Sequence, residues 1–288
     1  MSTLQSESRF SVRRCFSMGM YVLCAVFAVA IVAILGWVLQ YLIRLGLPGL
    51  SVDFFTRVPT GDVTDPGGMA HALVGTLVLV ALASAVGVPL GMLAGVYLSE
   101  YRSETWLATP TRFVADVLAG VPSIVVGILG YELLVVPLGR YNGWAGALAL
   151  AFIMAPIVAR TTEEMLRLVP QAYREGSLAL GATKAQTILR VVIPSATGSI
   201  ITGIMLALAR VAGETAPLLF TALGSRFLTT NPNQPFPSLT VQIYTYATGP
   251  YHSQQQLAWA GILVLVSLLF IINLIIRFVA HRTIRRMA

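Results

Sequence analysis

Six stretches of the chain are apolar enough to cross a membrane. They cover residues 18–42, 72–98, 113–136, 144–159, 196–220 and 257–276. A hydrocarbon core of about 30 Å needs about 20 apolar residues in a helix, and charged residues within these stretches are few. The pattern predicts an all-α integral membrane protein with six transmembrane helices. Four prolines are candidates for kinks in these helices: Pro89, Pro122, Pro156 and Pro217.

The polar segments between the stretches predict the organisation of the chain. Residues 1–70 comprise an amino-terminal cytoplasmic segment, the first span and an external loop, residues 71–280 form the main transmembrane domain, and residues 281–288 form a cytoplasmic tail. The uncharged run of residues 15–43 is about twice as long as the apolar region of a signal peptide, so we interpret it as a retained anchor. The apolar piece Leu239–Ala247 is too short to cross a bilayer, and we expect it to pack on the outer surface.

Composition agrees with a membrane protein. Hydrophobic residues make up 56% of the 288 residues and charged residues 11%, whereas an ordinary soluble domain contains about 25% charged residues. Cys15, Cys24 and three scattered histidines predict neither a disulfide nor a metal site. No cofactor is expected to bind to this chain.

The distribution of basic residues predicts the orientation in the membrane. With both termini in the cytoplasm, the cytoplasmic segments hold fourteen of the nineteen lysines and arginines, as the positive-inside rule requires. These are Arg9, Arg13, Arg14, Arg102, Arg112, Arg160, Arg167, Arg174, Lys184, Arg190, Arg277, Arg282, Arg285 and Arg286. The net charge of +7 is therefore explained by topology and by contact with membrane lipids, and it does not indicate nucleic-acid binding.

The fifth stretch contains two charges, in the sequence "LARVAGETAP". Arg210 and Glu214 are four residues apart, which would place them on one face of a continuous helix. A charge at mid-bilayer costs about 2.5–3.5 kcal/mol even on the lenient insertion scale. The same stretch carries small residues that allow close helix packing, so we expect both charges to face the interior of the bundle. The small residues are Gly198, Gly203, Ala207 and Gly213.

Two interpretations of this pair remain open. An arginine suits an oxyanion because its planar guanidinium donates two parallel hydrogen bonds and stays charged, and the nearby glutamate would hold it or neutralise it. Alternatively, Arg210 and Glu214 form a structural ion pair that joins this helix to a partner protein, since ionisable residues within membranes commonly pair with one another.

The polar segment 160–194 predicts short helices on the cytoplasmic face. Thr161 or Thr162 can cap a first helix, and Pro170 and Gly181 should divide the segment. Such amphipathic helices lie on lipid or dock into a groove of another protein. Three glutamates make the segment only mildly basic, which favours the protein groove.

Part of this segment carries a family resemblance. The sequence "EGSLALG", followed nine residues later by "VVIP", resembles the EAA loop of ABC-importer permeases. Glu175 and Gly181 match the pattern, Gly176 and Ser177 replace its usual alanines, and Pro194 ends it. The resemblance implies that this loop is the coupling helix that docks in a cleft of a cytoplasmic ATPase.

Three further blocks resemble the PstA-type permeases of bacterial phosphate-specific ABC importers. They are "DVLAGVPSIVVGI" (116–128), "RTTEEMLRLVP" (160–170) and "ARVAGETAPLLFTALG" (209–224). The resemblance implies a MetI-like, type I importer fold and transport of inorganic phosphate across the inner membrane. It also implies three kinds of partner: a PstC-like permease, a dimer of PstB-like ATPases, and a periplasmic or lipid-anchored phosphate-binding protein.

The chain lacks the residues that are characteristic of three other function classes. A secondary transporter would need midplane acids and related halves, an intramembrane enzyme would need a nucleophile and a base, and an ATPase would need a glycine-rich phosphate loop. Lys184, the only lysine, lies outside such a loop, so ATP must be hydrolysed by another chain. Two alternatives remain: a permease for another oxyanion such as sulfate or molybdate, and a signalling scaffold that senses phosphate.

Overall fold

A computed structural model describes residues 2–62, 65–101 and 108–287. Arg102, counted above among the cytoplasmic basic residues, lies outside them. Within the described ranges two π-helical segments, Tyr131–Val135 and Ile188–Val192, join neighbouring α-helices. The α-helices are α1 (Ser2–Gly46), α2 (Val52–Thr56), α3 (Ala70–Glu100), α4 (Ala108–Gly120), α5 (Ser123–Gly130), α6 (Val136–Leu138), α7 (Gly143–Arg167), α8 (Gln171–Ala179), α9 (Lys184–Thr187), α10 (Ile193–Ala212), α11 (Ala216–Thr221), α12 (Leu239–Ala247) and α13 (His252–Met287).

The structure has five to six candidate spans, where the sequence predicted six. Among the described residues, five helical segments are long and apolar enough to cross a membrane, and a bent pair of helices brings the number to six when it is counted as one span. The five segments are Phe16–Gly49, Ala70–Glu100, Gly143–Arg167, Lys184–Ala212 and His252–Ile275.

The third span differs from its prediction, because it is not one straight helix. The segments Thr109–Gly120 and Ser123–Leu138 meet at an angle of 103°. Pro122 lies two residues after Gly120, the last residue of α4, and adopts an extended ψ of 134°. Proline cannot donate a backbone hydrogen bond and disfavours a helical conformation in the residue before it, so the helix ends here. Pro122 is thus a break between two helices.

The predicted start of a new helix, capped by Thr161 or Thr162, is wrong. Helix α7 continues without interruption from the fourth span to Arg167. Thr161 does not cap a new helix, since its hydroxyl donates to the carbonyl of Ile157 within the same helix at 2.9 Å. A threonine hydroxyl can bond to the carbonyl four residues earlier in a helix, and a local cap signal does not exclude that alternative.

Helices α3 and α7 form the centre of the bundle. Gly87, Gly91 and Gly95, spaced four residues apart on α3, all face α7. A Cβ atom at Gly91 would lie 2.7 Å from both the carbonyl oxygen of Ala155 and the Cβ of Val158. The glycines therefore allow the two backbones to approach more closely than any larger residue would permit.

The remaining helices are arranged around this pair. Helix α10 packs on α7, where a Cβ at Gly203 would lie 2.6 Å from the Cβ of Thr161. The short helix α12 has the predicted residues, Leu239–Ala247, and packs against α3 and α13. Its amino terminus is tied to α3, because the Leu239 N–H donates to the Thr76 hydroxyl at 2.7 Å.

Candidate functional site

The fifth span is interrupted next to Arg210. Helix α10 ends at Ala212, and Gly213, Glu214 and Thr215 separate it from α11. Arg210 lies in the last turn of α10, whereas Glu214 lies in the break. The prediction of one continuous helix to residue 220, with both charges on one helical face, is therefore wrong.

Local chemistry explains the break. Pro217 is the second residue of α11 and has no N–H to donate to the carbonyl of Gly213, four residues before it. Glycine also weakens a helix by about 1 kcal/mol relative to alanine. A glycine followed closely by a proline is a helix-stop signal, so the sequence contained the information, but the apolar residues after Pro217 suggested that the span continues.

Contacts from two other helices hold the broken segment in place. The hydroxyl of Thr240, on α12, donates to the backbone carbonyl of Glu214 at 3.0 Å. On the other side, α11 packs closely on α5, where a Cβ at Gly127 would lie 2.9 Å from the Cα of Pro217. Non-helical backbone within a membrane is tolerated where protein or a water-filled cavity satisfies its polar groups. The break is therefore a specific, supported feature of the fold.

The Arg210–Glu214 pair is loose. Arg210 Nε and Glu214 Oε1 are 3.8 Å apart, beyond hydrogen-bonding distance. The side chain of Arg210 is 54% exposed in this chain, and that of Glu214 is 15% exposed. The sequence predicted both charges in the interior of the bundle, but Arg210 lies on the surface of the single chain. Its donors are therefore accessible to a ligand or to another protein.

Helix α8 contains three residues of the predicted coupling loop, Glu175, Gly176 and Ser177. Glu175 and Gly176 are exposed, and a Cβ added at Gly176 would meet no atom of this chain within 4 Å. Three apolar side chains of the same segment are also exposed: Tyr173, Leu178 and Leu180. Ser177 is half-buried, and its hydroxyl lies 3.0 Å from that of Thr187 on α9.

Gly181 ends α8 as predicted. Its φ of +86° lies in the left-handed region, its N–H donates to Leu178, and the next N–H, of Ala182, donates to Ser177. This Schellman arrangement favours glycine, which has no Cβ to clash. Pro170, at the start of α8, is likewise confirmed as a break. Pro194 is exposed at the start of α10, directly after the π-helical segment.

Two ionic clusters at the α8 end of the bundle were not predicted from the sequence. In the first, the carboxylate of Glu163, only 1% exposed, receives hydrogen bonds from Arg112 on α4 and from Arg167 on its own helix α7. Arg160 Nη1 approaches the other carboxylate oxygen at 3.8 Å. In the second, Arg174 of α8 bonds to Glu100 of α3. Arg112 is 51 residues from Glu163 in the chain, and Arg174 is 74 residues from Glu100, so no local pattern could have formed these two pairs.

Close relatives have been identified as permeases. The chain is 42% identical over 243 residues to the phosphate transport system permease protein PstA of Yersinia pestis, covering 84% of this chain and 82% of that protein. It is 40% identical over 238 residues to the probable phosphate transport system permease protein PstA of Methanocaldococcus jannaschii, covering 82% of this chain and 84% of the relative.

Solved structures confirm the fold. A bacterial ABC transporter involved in the import of the acidic polysaccharide alginate superposes with a TM-score of 0.62 at 16% identity, covering 93% of this chain and 96% of that chain. The inward-facing MetNI methionine ABC transporter superposes with a TM-score of 0.57 at 20% identity, covering 83% and 100%. The predicted MetI-like permease fold is confirmed.

Residues 87–285 match the family described as the binding-protein-dependent transport system inner membrane component. Together with the apolar spans, this match identifies a multi-pass protein of the inner membrane. The chain belongs to this family of binding-protein-dependent transport permeases and, within it, to the PstA-type permeases.

Proposed function

We propose that this chain is the permease subunit of an ATP-driven importer of inorganic phosphate. The observation that carries the proposal is the accessible guanidinium of Arg210 beside the break in the fifth span. An arginine facing lipid at this depth is unfavourable, so its exposed face should be covered by a water-filled path or by another protein. Similarity to relatives named as phosphate transport permeases supports phosphate as the ligand in that path.

The partners follow from the same assignment. A second permease, PstC-like, completes the translocation path, and two PstB-like ATPases bind at the exposed surface of α8. A periplasmic or lipid-anchored phosphate-binding protein delivers the anion. The chain binds no cofactor of its own, and the ATP is hydrolysed by the partner subunits.

The Arg210–Glu214 geometry suggests how phosphate is passed on. Without phosphate, Glu214 partly neutralises the guanidinium at 3.8 Å. Phosphate oxygens accept the same donors that a carboxylate does, so phosphate exchanges with Glu214 for Arg210 as it passes. Because the carboxylate competes for the arginine, it prevents the anion from binding too tightly to leave.

The test compares Arg210→Ala, Glu214→Ala and the double variant in the reconstituted importer, at equal abundance in the membrane. Uptake of radiolabelled phosphate should be lost in Arg210→Ala and should stay lost in the double variant. Arg210→Lys should also be impaired, since it keeps the charge but loses the planar donor pair. Arg226→Ala removes an exposed arginine away from the break and should transport normally.

A structural ion pair predicts the opposite result for the double variant. If Arg210 and Glu214 only brace the fold, removing both leaves no uncompensated charge and uptake should recover. Uptake of sulfate or molybdate in preference to phosphate would assign the chain to another oxyanion. Phosphate-dependent signalling without any uptake would favour a sensing scaffold.

A further inference from the structure

Arg174 ties the coupling helix α8 to the centre of the bundle. Its Nε donates to Glu100 Oε2 at 3.1 Å and its Nη2 donates to Glu100 Oε1 at 2.7 Å. The same guanidinium donates to the backbone carbonyls of Val169 at 2.7 Å and Leu166 at 2.9 Å. One side chain in the first turns of α8 therefore binds the last residue of α3 and the carboxyl-terminal end of α7.

The contact is strong for physical reasons. The Arg174 and Glu100 side chains are only 15% and 7% exposed, so water screens their charges weakly. The pair is bidentate, which adds directionality to the charge interaction. The Leu166 carbonyl lies at the negative end of the α7 dipole, where a cation is favourable. A lysine has the charge but not the planar geometry needed to bind all these acceptors together.

Helices α3 and α7 are expected to move as one body. The spacing of Gly87, Gly91 and Gly95 brings their backbones into direct contact over two helical turns. Sliding one helix past the other would bring Cβ atoms of α7 against the α3 backbone. A displacement of the end of α3 should therefore be passed along both helices.

Within the part of the chain that the structure describes, little else restrains α8. Most of its residues are exposed, and its other side-chain hydrogen bond to a neighbouring element, within the described residues, is that of Ser177 with Thr187. Its carboxyl end continues through α9 and the π-helical segment into α10, the helix that carries Arg210. Movement of α8 can thus reach the membrane by two routes: through the chain to α10, and through Arg174 to α3 and α7.

We propose that Arg174, held by Glu100, is the positioning residue that transmits movement of α8 to the α3–α7 pair during ATP-driven transport. The inference rests on the proposed function. Binding of the ATPases displaces α8, and the Arg174–Glu100 contact makes α3 and α7 follow it, together with α10. Without the contact, α8 moves independently of α3 and α7, and ATP is hydrolysed without opening the path.

The experiment uses the complete importer, with its partner permease, ATPases and phosphate-binding protein, in lipid vesicles. Arg174→Gln and Glu100→Gln are each compared with the wild-type chain. ATP hydrolysis stimulated by the phosphate-loaded binding protein and uptake of phosphate are measured on the same vesicles. Arg14→Gln, which alters an exposed arginine of α1 outside both routes, is the matched control.

Both variants should retain the ATPases on purification and hydrolyse ATP, whereas the phosphate imported per ATP should fall about tenfold, the factor that corresponds to one charge-assisted hydrogen bond. Arg174→Lys should show an intermediate loss, and the control should match the wild type. The ratio of phosphate to ATP separates coupling from folding, because a folding defect lowers hydrolysis and uptake together.

Two results would overturn the inference. The first is an unchanged ratio of phosphate to ATP in both variants. The second is a loss of hydrolysis or of bound ATPase in both, which would make the contact a structural or docking element. Failure of the wild-type importer to take up phosphate would instead refute the proposed function, so the two hypotheses are tested separately.

Discussion

Replacing Glu163 by glutamine should destabilise the protein by removing the centre of an ionic cluster. The carboxylate is 1% exposed and lies among Arg112, Arg160 and Arg167. Glutamine has nearly the same shape and can still accept hydrogen bonds, but it carries no negative charge. The substitution therefore tests the charge of this residue rather than its size.

The expected loss of stability follows from the burial of the Glu163 carboxylate and its three arginine partners. Removing one partner of a fully buried ion pair costs about 3–5 kcal/mol, whereas an exposed pair contributes about 0.2–1 kcal/mol. Here the carboxylate is buried, but the arginines are 23%, 45% and 39% exposed and can be partly rehydrated. We therefore expect a loss of about 1–3 kcal/mol in the free energy of unfolding.

The neighbouring residue provides a matched control. Glu164 lies on the same helix and pairs with Arg160 at 2.8 Å, but its side chain is 49% exposed. Glu164→Gln should cost less than about 1 kcal/mol. Thermal unfolding of both variants in the same detergent should show a lower midpoint for Glu163→Gln, at roughly 2–4 °C per kcal/mol in domains of about 150–250 residues.

A double variant gives a second readout. Adding Arg112→Gln to Glu163→Gln removes one of the stranded positive charges, so its effect should be smaller than the sum of the single effects. Equal midpoints for Glu163→Gln and Glu164→Gln would refute the argument, because they would show that burial of the Glu163 carboxylate does not decide its contribution.

Three further changes test separate parts of the structure. Gly91→Leu should separate α3 from α7 and lower the unfolding midpoint, since overpacking typically costs about 1–3 kcal/mol. Gly36→Leu should leave the midpoint unchanged, because a Cβ at this glycine would have no atom within 4 Å. Gly181→Trp should abolish the response of the ATPase to the loaded binding protein. Gly181→Ala, which shares the backbone strain but is small, should keep more of that response. A Gly181→Trp importer that remains coupled would exclude docking of the ATPase at this site. Thr240→Val removes the hydrogen bond to the Glu214 carbonyl, worth about 0.5–1.5 kcal/mol. It should slow phosphate uptake and leave binding of the ATPase unchanged. An unchanged uptake rate would show that this contact does not support the break.

The helical spans and the ends of helix α8 could be predicted from the sequence because both depend on local properties. Hydropathy over some twenty residues determines which segments can enter the membrane, and the number of spans agrees with the structure when the bent pair is counted as one span. Gly181 and Pro170 end helices through their own backbone chemistry. The break after Arg210 is also encoded locally, by Gly213 and Pro217, although the surrounding apolar residues concealed it.

Only the tertiary structure decided which residues meet across the fold. The glycines at positions 87, 91 and 95 are visible in the sequence as a close-packing pattern, but their partner helix α7 is not. The pairing of Arg174 with Glu100 and of Arg112 with Glu163 depends on how α3, α4, α7 and α8 are arranged in space. Likewise, the sequence placed Arg210 in a span, but its exposure depends on which neighbouring helices cover that face. Charge and hydropathy are properties of single residues and short segments, whereas burial and ion pairing arise from contacts between distant segments, and these exist only once the chain has packed.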